Sequence, residues 1–466
     1  MEFLILLFAF AALVWMIPII HSGRLIRIAM IVLLIGTALG PPFFNIDGVI
    51  QFSLDRILWF GMLGLAAVHW RMGNFKLPKL TRIDWLVIAL VGYVFLSSLS
   101  AGSGPYLIKA FSRWLFYFVM PAGIYFIARV ADIRKIDFRW LSLTSILLSL
   151  YLAVTAIFEV KGFHAAVFPK FIVDPAASLE FLGRGRGPLL NPVANGFVMS
   201  LGVTACVFGF INSNHRMRAV YALLTLVISI GAYETLTRSV WVGIALIFAV
   251  VALCYGPRWL RIWGMAAAVM LGGAMSLGLK DQLLSIKRDK HLSAAEAAES
   301  VELRPLLAIV AWEMFKAKPI MGHGYGRYFQ NNKPYCDTRS YEMPLEKVKG
   351  YIQHNVFLSI LVDLGLVGFL LFMGLLGSLL LVGWHLACQY QKPEVRHVGL
   401  LVLCALGTYA VNGMFHDVTI IPMMHMFLFF AAGVGVTVMQ RGFATEEAPV
   451  RSERRARVAV GAQAAV

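Results

Sequence analysis

Charge is scarce in this sequence. Asp, Glu, Lys and Arg together make up 14% of it and hydrophobic residues 59%, against about 25% and about 45–50% in soluble domains. That shortage excludes an ordinary water-soluble domain, because too few polar side chains remain to cover its surface. Strands of about ten residues with strict polar–apolar alternation are missing, which excludes a membrane β-barrel. Cysteine is sparse and scattered. Cys206, Cys254, Cys388 and Cys404 lie in or beside apolar runs and Cys336 stands alone in a polar stretch, with neither a disulfide framework nor a metal-ligand spacing. No H-E-x-x-H, Walker A or G-x-S-x-G pattern occurs, and no paired carboxylates suit a metal or a dyad, so neither metal nor cofactor is expected. The opening MEFLILLFAF lacks a basic flank, so a cleavable signal peptide is not expected. Solenoid and inverted repeats are absent too, which counts against a transporter.

What the chain has instead is a succession of long apolar runs. They fall near 2–20, 24–41, 49–69, 84–101, 106–128, 139–158, 193–211, 217–233, 239–256, 261–279, 355–384, 398–415 and 420–439. Most are about 17–25 residues long, the length an α-helix needs to cross about 30 Å of hydrocarbon. The expected fold is an all-α polytopic integral membrane protein of about 12–13 transmembrane helices. Alternate connections are basic (HSGRLIR, HWRMGNFKLPKLTR, ARVADIRKIDFR, NSNHRMR, GPRWLR, QYQKPEVRH) and are assigned to the cytoplasm, which accounts for the net charge of +16 without any role for nucleic acid. The remaining loops then face out. The chain divides into N-terminal spans (1–158), an outer loop (159–191), core spans (192–279), a large outer loop (280–353), C-terminal spans (354–440) and a disordered cytoplasmic tail (441–466). Within the large loop, LRPLLAIVAWEMFKAK has the apolar spacing of a helix, and Pro305 suits its first turn.

Several basic residues fall on the outer side, against the general charge bias: Arg184 and Arg186 in FLGRGRG, Arg238 in LTRSVW, and Arg304 and Arg327 in the large loop. Arg56, Lys109 and Arg113 lie near the outer ends of their spans. Guanidinium forks match phosphate oxygens bidentately, so such a cluster suits a lipid diphosphate. Each also has a plain alternative: Arg238 can pair with Glu234 at i,i+4, and Arg56 has Asp55 beside it. The glycines of RGRG let backbone approach an anion closely. PIMGHGYGRYF reads as a tight turn returning the large loop to the membrane, with His323 either structural or a substrate contact. His354 and Asn355 stand at the threshold of the run at 355–384. The histidine is an interfacial anchor or a general base, with Asn355 the candidate to orient it.

Five stretches in order carry a family likeness: GPLLNPVANG, then LTRSVWVGIAL, then Arg304 at the start of the loop helix, then KAKPIMGHGYGRYF, and last HNVFLSILVDLGLVGFL. With these the chain resembles the O-antigen ligase and O-antigen polymerase superfamily of polytopic glycosyltransferases. The resemblance implies metal-free transfer of a saccharide from a polyprenyl diphosphate to an acceptor hydroxyl on a glycolipid such as lipid A-core, or on a polysaccharide. It places the protein in the bacterial inner membrane among its lipids, with the site and the large loop in the periplasm. It assigns His354, Arg238 and Arg304 to catalysis, while Arg184, Arg186, His323, Arg327, Lys109 and Arg113 are the candidate substrate contacts. Ligase, polymerase and protein O-glycosyltransferase share these features, and a polysaccharide or lipid transporter is the reading from a different class.

Overall fold

The computed structural model describes residues 24–46, 48, 51–100, 104–262, 294–337 and 341–444. The expected span at 2–20, most of that at 261–279 and the tail from residue 445 lie outside the described residues. The other expected runs are all helical. They form α1 (Leu25–Leu39), α2 (Leu54–Arg71), α3 (Arg82–Leu99), α4 (Pro105–Trp114) and α5 (Met120–Val130) joined through a π-turn, and α6 (Lys135–Lys161). There follow α7 (Pro192–Asn212), α8 (His215–Tyr233) and α9 (Arg238–Tyr255). The large loop supplies α10 (Ala294–Ala317) and the short α11 (Tyr328–Asn331) and α12 (Lys333–Cys336), after which come α13 (Val356–Gln389), α14 (Pro393–Phe415) and α15 (Pro422–Arg441). Among the described residues strand is confined to one ribbon, β1 (Asn45–Ile46) against β2 (Phe52–Ser53), in the turn between α1 and α2.

Among the described residues nine helices are long and apolar enough to cross a membrane, counting α4 to α5 as one. The runs at 24–41 and 49–69 fall short of that length and character. α1 has only 15 residues, and α2 carries Asp55, Arg56 and Arg71.

The bundle is organised around α15, α7 and α14, which are buried along most of their length, while α8 turns most of its residues outward. α13 packs along α14, α15 along α5, and α7 against α6, α8, α9 and α14. A buried ion pair, Arg129 Nε to Asp84 Oδ1 at 2.8 Å, ties α5 to α3, and Arg129 Nη2 reaches Gln440 on α15 at 2.7 Å.

The large loop has a small core, with Leu307, Val310, Ala311 and Met314 of α10 packed on Tyr328, Cys336, Leu345 and Val348 and on Val362 of α13. Its helix begins earlier than the sequence predicts, at Ala294, so Pro305 lies in the helix interior rather than its first turn. The preceding AAEAAES is rich in strong helix formers, which carry the helix back across the position a proline would otherwise start.

Candidate functional site

Three of the sequence-predicted residues come together from separate segments. Arg238 is the first residue of α9, Arg304 lies within α10, and His354 directly precedes Asn355, the cap of α13. The charge of Arg238 acts on Arg304 and that of Arg304 on His354, so the three share one electrostatic neighbourhood. All three are half-buried. Burial first, and the charge of Arg304 second, hold the His354 imidazole below its usual pKa, which leaves a neutral ring able to accept a proton near pH 7. Burial, then Arg238, lowers Arg304 in the same sense, although a guanidinium stays charged at neutral pH. The Arg304 guanidinium sits 5.6 Å from the centroid of the Phe415 ring, within cation–π range. Two guanidiniums that repel each other, beside the N-termini of α9 and α13, make a setting that an anion relieves.

The local backbone explains why His354 stands where it does. Its φ of 48° is left-handed, a conformation that costs an L-residue about 1–2 kcal/mol and that clusters at functional sites. Asn355 does not serve as the orienting partner of the imidazole. Its Oδ1 accepts from the N–H groups of Phe357 and Leu358 at 2.9 and 3.1 Å, and its Nδ2 donates to the Met414 carbonyl at 3.0 Å. The amide therefore caps α13 and fastens it to the end of α14.

The connection at 414–419 is the part that sequence reasoning missed. Met414 anchors Asn355, Phe415 lies against Arg304, and Asp417 accepts from Ser359 Oγ at 2.7 Å and from Thr419 N–H at 3.1 Å. The signal was a charged pair, HD, in a turn of a few residues between two apolar runs, where a buried polar contact is the usual reason for the charge.

Arg304 and His354 are brought together by the glycine-rich turn. Gly365, at φ 65° and ψ −166°, breaks α13, and the turn at 319–326 fills the break. The N–H groups of His323 and Gly324 donate to the carbonyls of Val362 and Asp363 at 2.9 Å, that of Leu366 to Pro319 at 2.8 Å, and that of Gly326 to Asp363 Oδ2 at 2.9 Å. Both glycines at the contact are required. A Cβ on Gly322 would lie 2.5 Å from the Asp363 carbonyl oxygen, and one on Gly365 would lie 2.3 Å from that of Ile320. The turn thus returns the loop to the membrane helices, as the sequence predicts.

The remaining candidates lie elsewhere. Arg186 is fully buried. Its guanidinium donates to the carbonyls of Ile172 (2.7 and 3.1 Å), Ser178 (2.6 Å) and Glu180 (3.1 Å) and pairs with Glu159 at 3.3 Å. It organises the loop at 159–191, and its guanidinium is committed to protein groups. The RGRG glycine is explained in the same way: Gly185 donates to the Glu234 carbonyl at 2.9 Å, and a Cβ there would meet Ala156 at 2.7 Å. Its close approach is to protein, not to an anion. Arg184 is buried, 5.4 Å from the Phe181 ring centroid.

His323 is also buried, with Nε2 2.8 Å from the Met314 carbonyl. A carbonyl can only accept, so the ring donates from Nε2 and ties the end of α10 to the turn. Arg327 bonds the Ser100 carbonyl and donates to Gln330 Oε1 at 3.1 Å. Arg113 reaches the Gly326 carbonyl at 3.4 Å, and its charge is felt by Asp417. Lys109 is exposed on α4. Glu234 and Arg238 do not share a helix, because the turn at 235–237 separates α8 from α9, and Glu234 is paired with Lys161 at 2.9 Å.

The fold and these contacts define a polytopic, all-α membrane protein in which Arg238, Arg304 and His354 share one electrostatic neighbourhood. Residues 223–373 match the family described as O-antigen ligase. The match contains Arg238, Arg304, His323, Arg327 and His354, and leaves out Lys109, Arg113, Arg184, Arg186 and the turn at 414–419. No curated protein matches the chain. Among the described residues no group of three or more His, Cys, Asp or Glu side chains is placed to hold a metal ion.

Proposed function

We propose that the protein transfers a saccharide from a polyprenyl diphosphate to a hydroxyl of a glycolipid acceptor of the lipid A-core kind, at the periplasmic face of the bacterial inner membrane. The convergence of Arg238, Arg304 and His354 carries this reading. His354 takes the proton of the acceptor hydroxyl, the freed oxygen attacks the anomeric carbon, and the bond from that carbon to the diphosphate oxygen breaks. The departing diphosphate gathers charge, which the two guanidiniums stabilise in place of a metal ion. The polymerase reaction uses the same chemistry with a second lipid-linked saccharide as acceptor.

The test has two arms. In membranes at matched expression, His354→Ala is expected to lose about 10²–10⁴-fold in transfer rate while the lipid-linked donor still binds. Arg238→Lys keeps the charge but loses the planar fork, and is expected to impair transfer. A fully active His354→Ala protein would overturn the base assignment. Purified protein is expected to keep its activity in EDTA; loss on chelation with rescue by Mg²⁺ or Mn²⁺ would show that a cation takes part. Mass spectrometry of surface glycans from a deletion strain separates the acceptors: a ligase leaves complete chains unlinked, and a polymerase leaves single repeats.

A further inference from the structure

The five cysteines are all free thiols, and two of them touch. Cys254 lies in the last turn of α9 and Cys388 in the last turn of α13, with their sulfurs 3.8 Å apart. The same two helices carry Arg238 and His354 at their opposite ends. The thiol contact is held by α14. Arg396 donates to the Ala387 carbonyl at 3.0 Å and to the Cys254 carbonyl at 3.3 Å, so one side chain caps the ends of both helices. Its guanidinium lies 4.1 Å from the Tyr255 ring centroid, which fixes it further. Cys388 is exposed and Cys254 is buried against Leu403 and Ala387, so an oxidant meets one sulfur first and finds the second behind it.

We propose that Cys254 and Cys388 form an oxidisable pair, and that their disulfide locks the far ends of α9 and α13 and slows the site at the near ends. The step balances with a disulfide oxidant. The Cys388 thiolate attacks R–S–S–R, forming a mixed disulfide and releasing one thiolate R–S⁻. The Cys254 thiolate then attacks the Cys388 sulfur and releases the second. Two protein thiols lose two electrons to the oxidant, which leaves as two R–SH after taking up the two protons. The sulfurs must close from 3.8 Å to about 2.0 Å, and the two helix ends move or turn together to allow it. On the proposed topology these ends face the cytoplasm, where thiols are kept reduced. The bond then forms only under disulfide stress.

The pairing itself stands on the thiol contact, whereas its effect on rate rests on the reading of Arg238 and His354 as the site. The experiment treats the full-length protein in lipid nanodiscs with oxidised glutathione, then maps thiols by non-reducing peptide mass spectrometry and measures transfer before and after dithiothreitol. The expected product is a Cys254–Cys388 crosslinked peptide, with glutathione trapped on Cys388 in Cys254→Ser. Transfer is expected to fall by at least about threefold on oxidation, as for a protein whose slow steps include helix motion, and to recover on reduction, with no such response in Cys388→Ser. Stable glutathionylation of Cys388 in the wild type without loss of the Cys254 thiol overturns the pairing. A complete crosslink with unchanged transfer overturns the brake. If His354→Ala is fully active, the functional reading fails while the crosslink result stands.

Discussion

At the residue scale the arrangement of charges makes a prediction with a definite sign. The positive charge of Arg304 disfavours a second positive charge on His354 and so holds its pKa down, in addition to the larger effect of burial. As pH falls through that depressed pKa the base is protonated, so the acid limb of kcat/KM is expected below about pH 6.5, the unperturbed histidine value. Arg304→Gln removes one cause of the depression and is expected to move the limb towards higher pH, though not all the way, since burial remains. A bound diphosphate acts in the same direction, placing the acid limb of kcat above that of kcat/KM. A limb that stays fixed in Arg304→Gln while the rate falls would show that the arginine acts on the donor alone. A second residue-scale contrast comes from Arg186, whose guanidinium is committed to three carbonyls and to Glu159. Arg186→Ala leaves the buried Glu159 unpaired, which typically costs about 3–5 kcal/mol. Lower melting temperature and yield are expected, with donor affinity unchanged in the protein that does fold; a well-folded variant with weakened donor binding would return Arg186 to the site.

At the scale of elements, the break in α13 is the feature on which the site depends. Gly322 and Gly365 have φ of 72° and 65° and lie against each other's backbone. Alanine at either is expected to destabilise by at least about 2 kcal/mol, from the left-handed backbone together with the steric conflict. Gly350 in the same loop faces open space, so Gly350→Ala serves as the near-silent control in thermal melts. These elements also show how much could be read in advance. Each apolar run within the described residues became a helix, because a chain in hydrocarbon has no other partner for its N–H and C=O groups than its own turns. The meeting of Arg238, Arg304 and His354 was legible only through the family likeness, since nothing in their spacing joins residues so far apart. The commitments of Arg186 and His323 were not legible for a physical reason: a sequence shows that a side chain carries donors, but not that carbonyls such as those of Ile172 and Met314 have already taken them. Asn355 was read as a neighbour of the imidazole when its place before an apolar run marked it as a helix cap.

At the scale of the whole molecule the length of α13 fixes where the site stands relative to the bilayer. Its 34 residues span about 51 Å as helix, well beyond the hydrocarbon thickness of about 30 Å. The stretch after Gly365, about 36 Å long, is enough to cross by itself. On the proposed topology the segment from Val356 to Gly365 then stands at or beyond the interface, and with it the His354 end of the proposed site. That position suits the proposed reaction, in which a lipid-linked diphosphate meets the sugar head group of a glycolipid acceptor. The proposed topology rests on the basic connections: if the loop around Lys76 is cytoplasmic, α3 onward places both the loop at 159–191 and the large loop on the opposite face. Ala176 and Lys347 are exposed in those two loops and Lys76 is exposed in the basic one. In a Cys388→Ser background, which removes the exposed native thiol, single cysteines at Ala176 and Lys347 are expected to react with an impermeant maleimide in intact spheroplasts. A cysteine at Lys76 is expected to react only after lysis. Labelling of Lys347→Cys only in lysed cells would put the large loop and His354 in the cytoplasm, on the wrong side for a periplasmic acceptor, and the proposed reaction would fall with it.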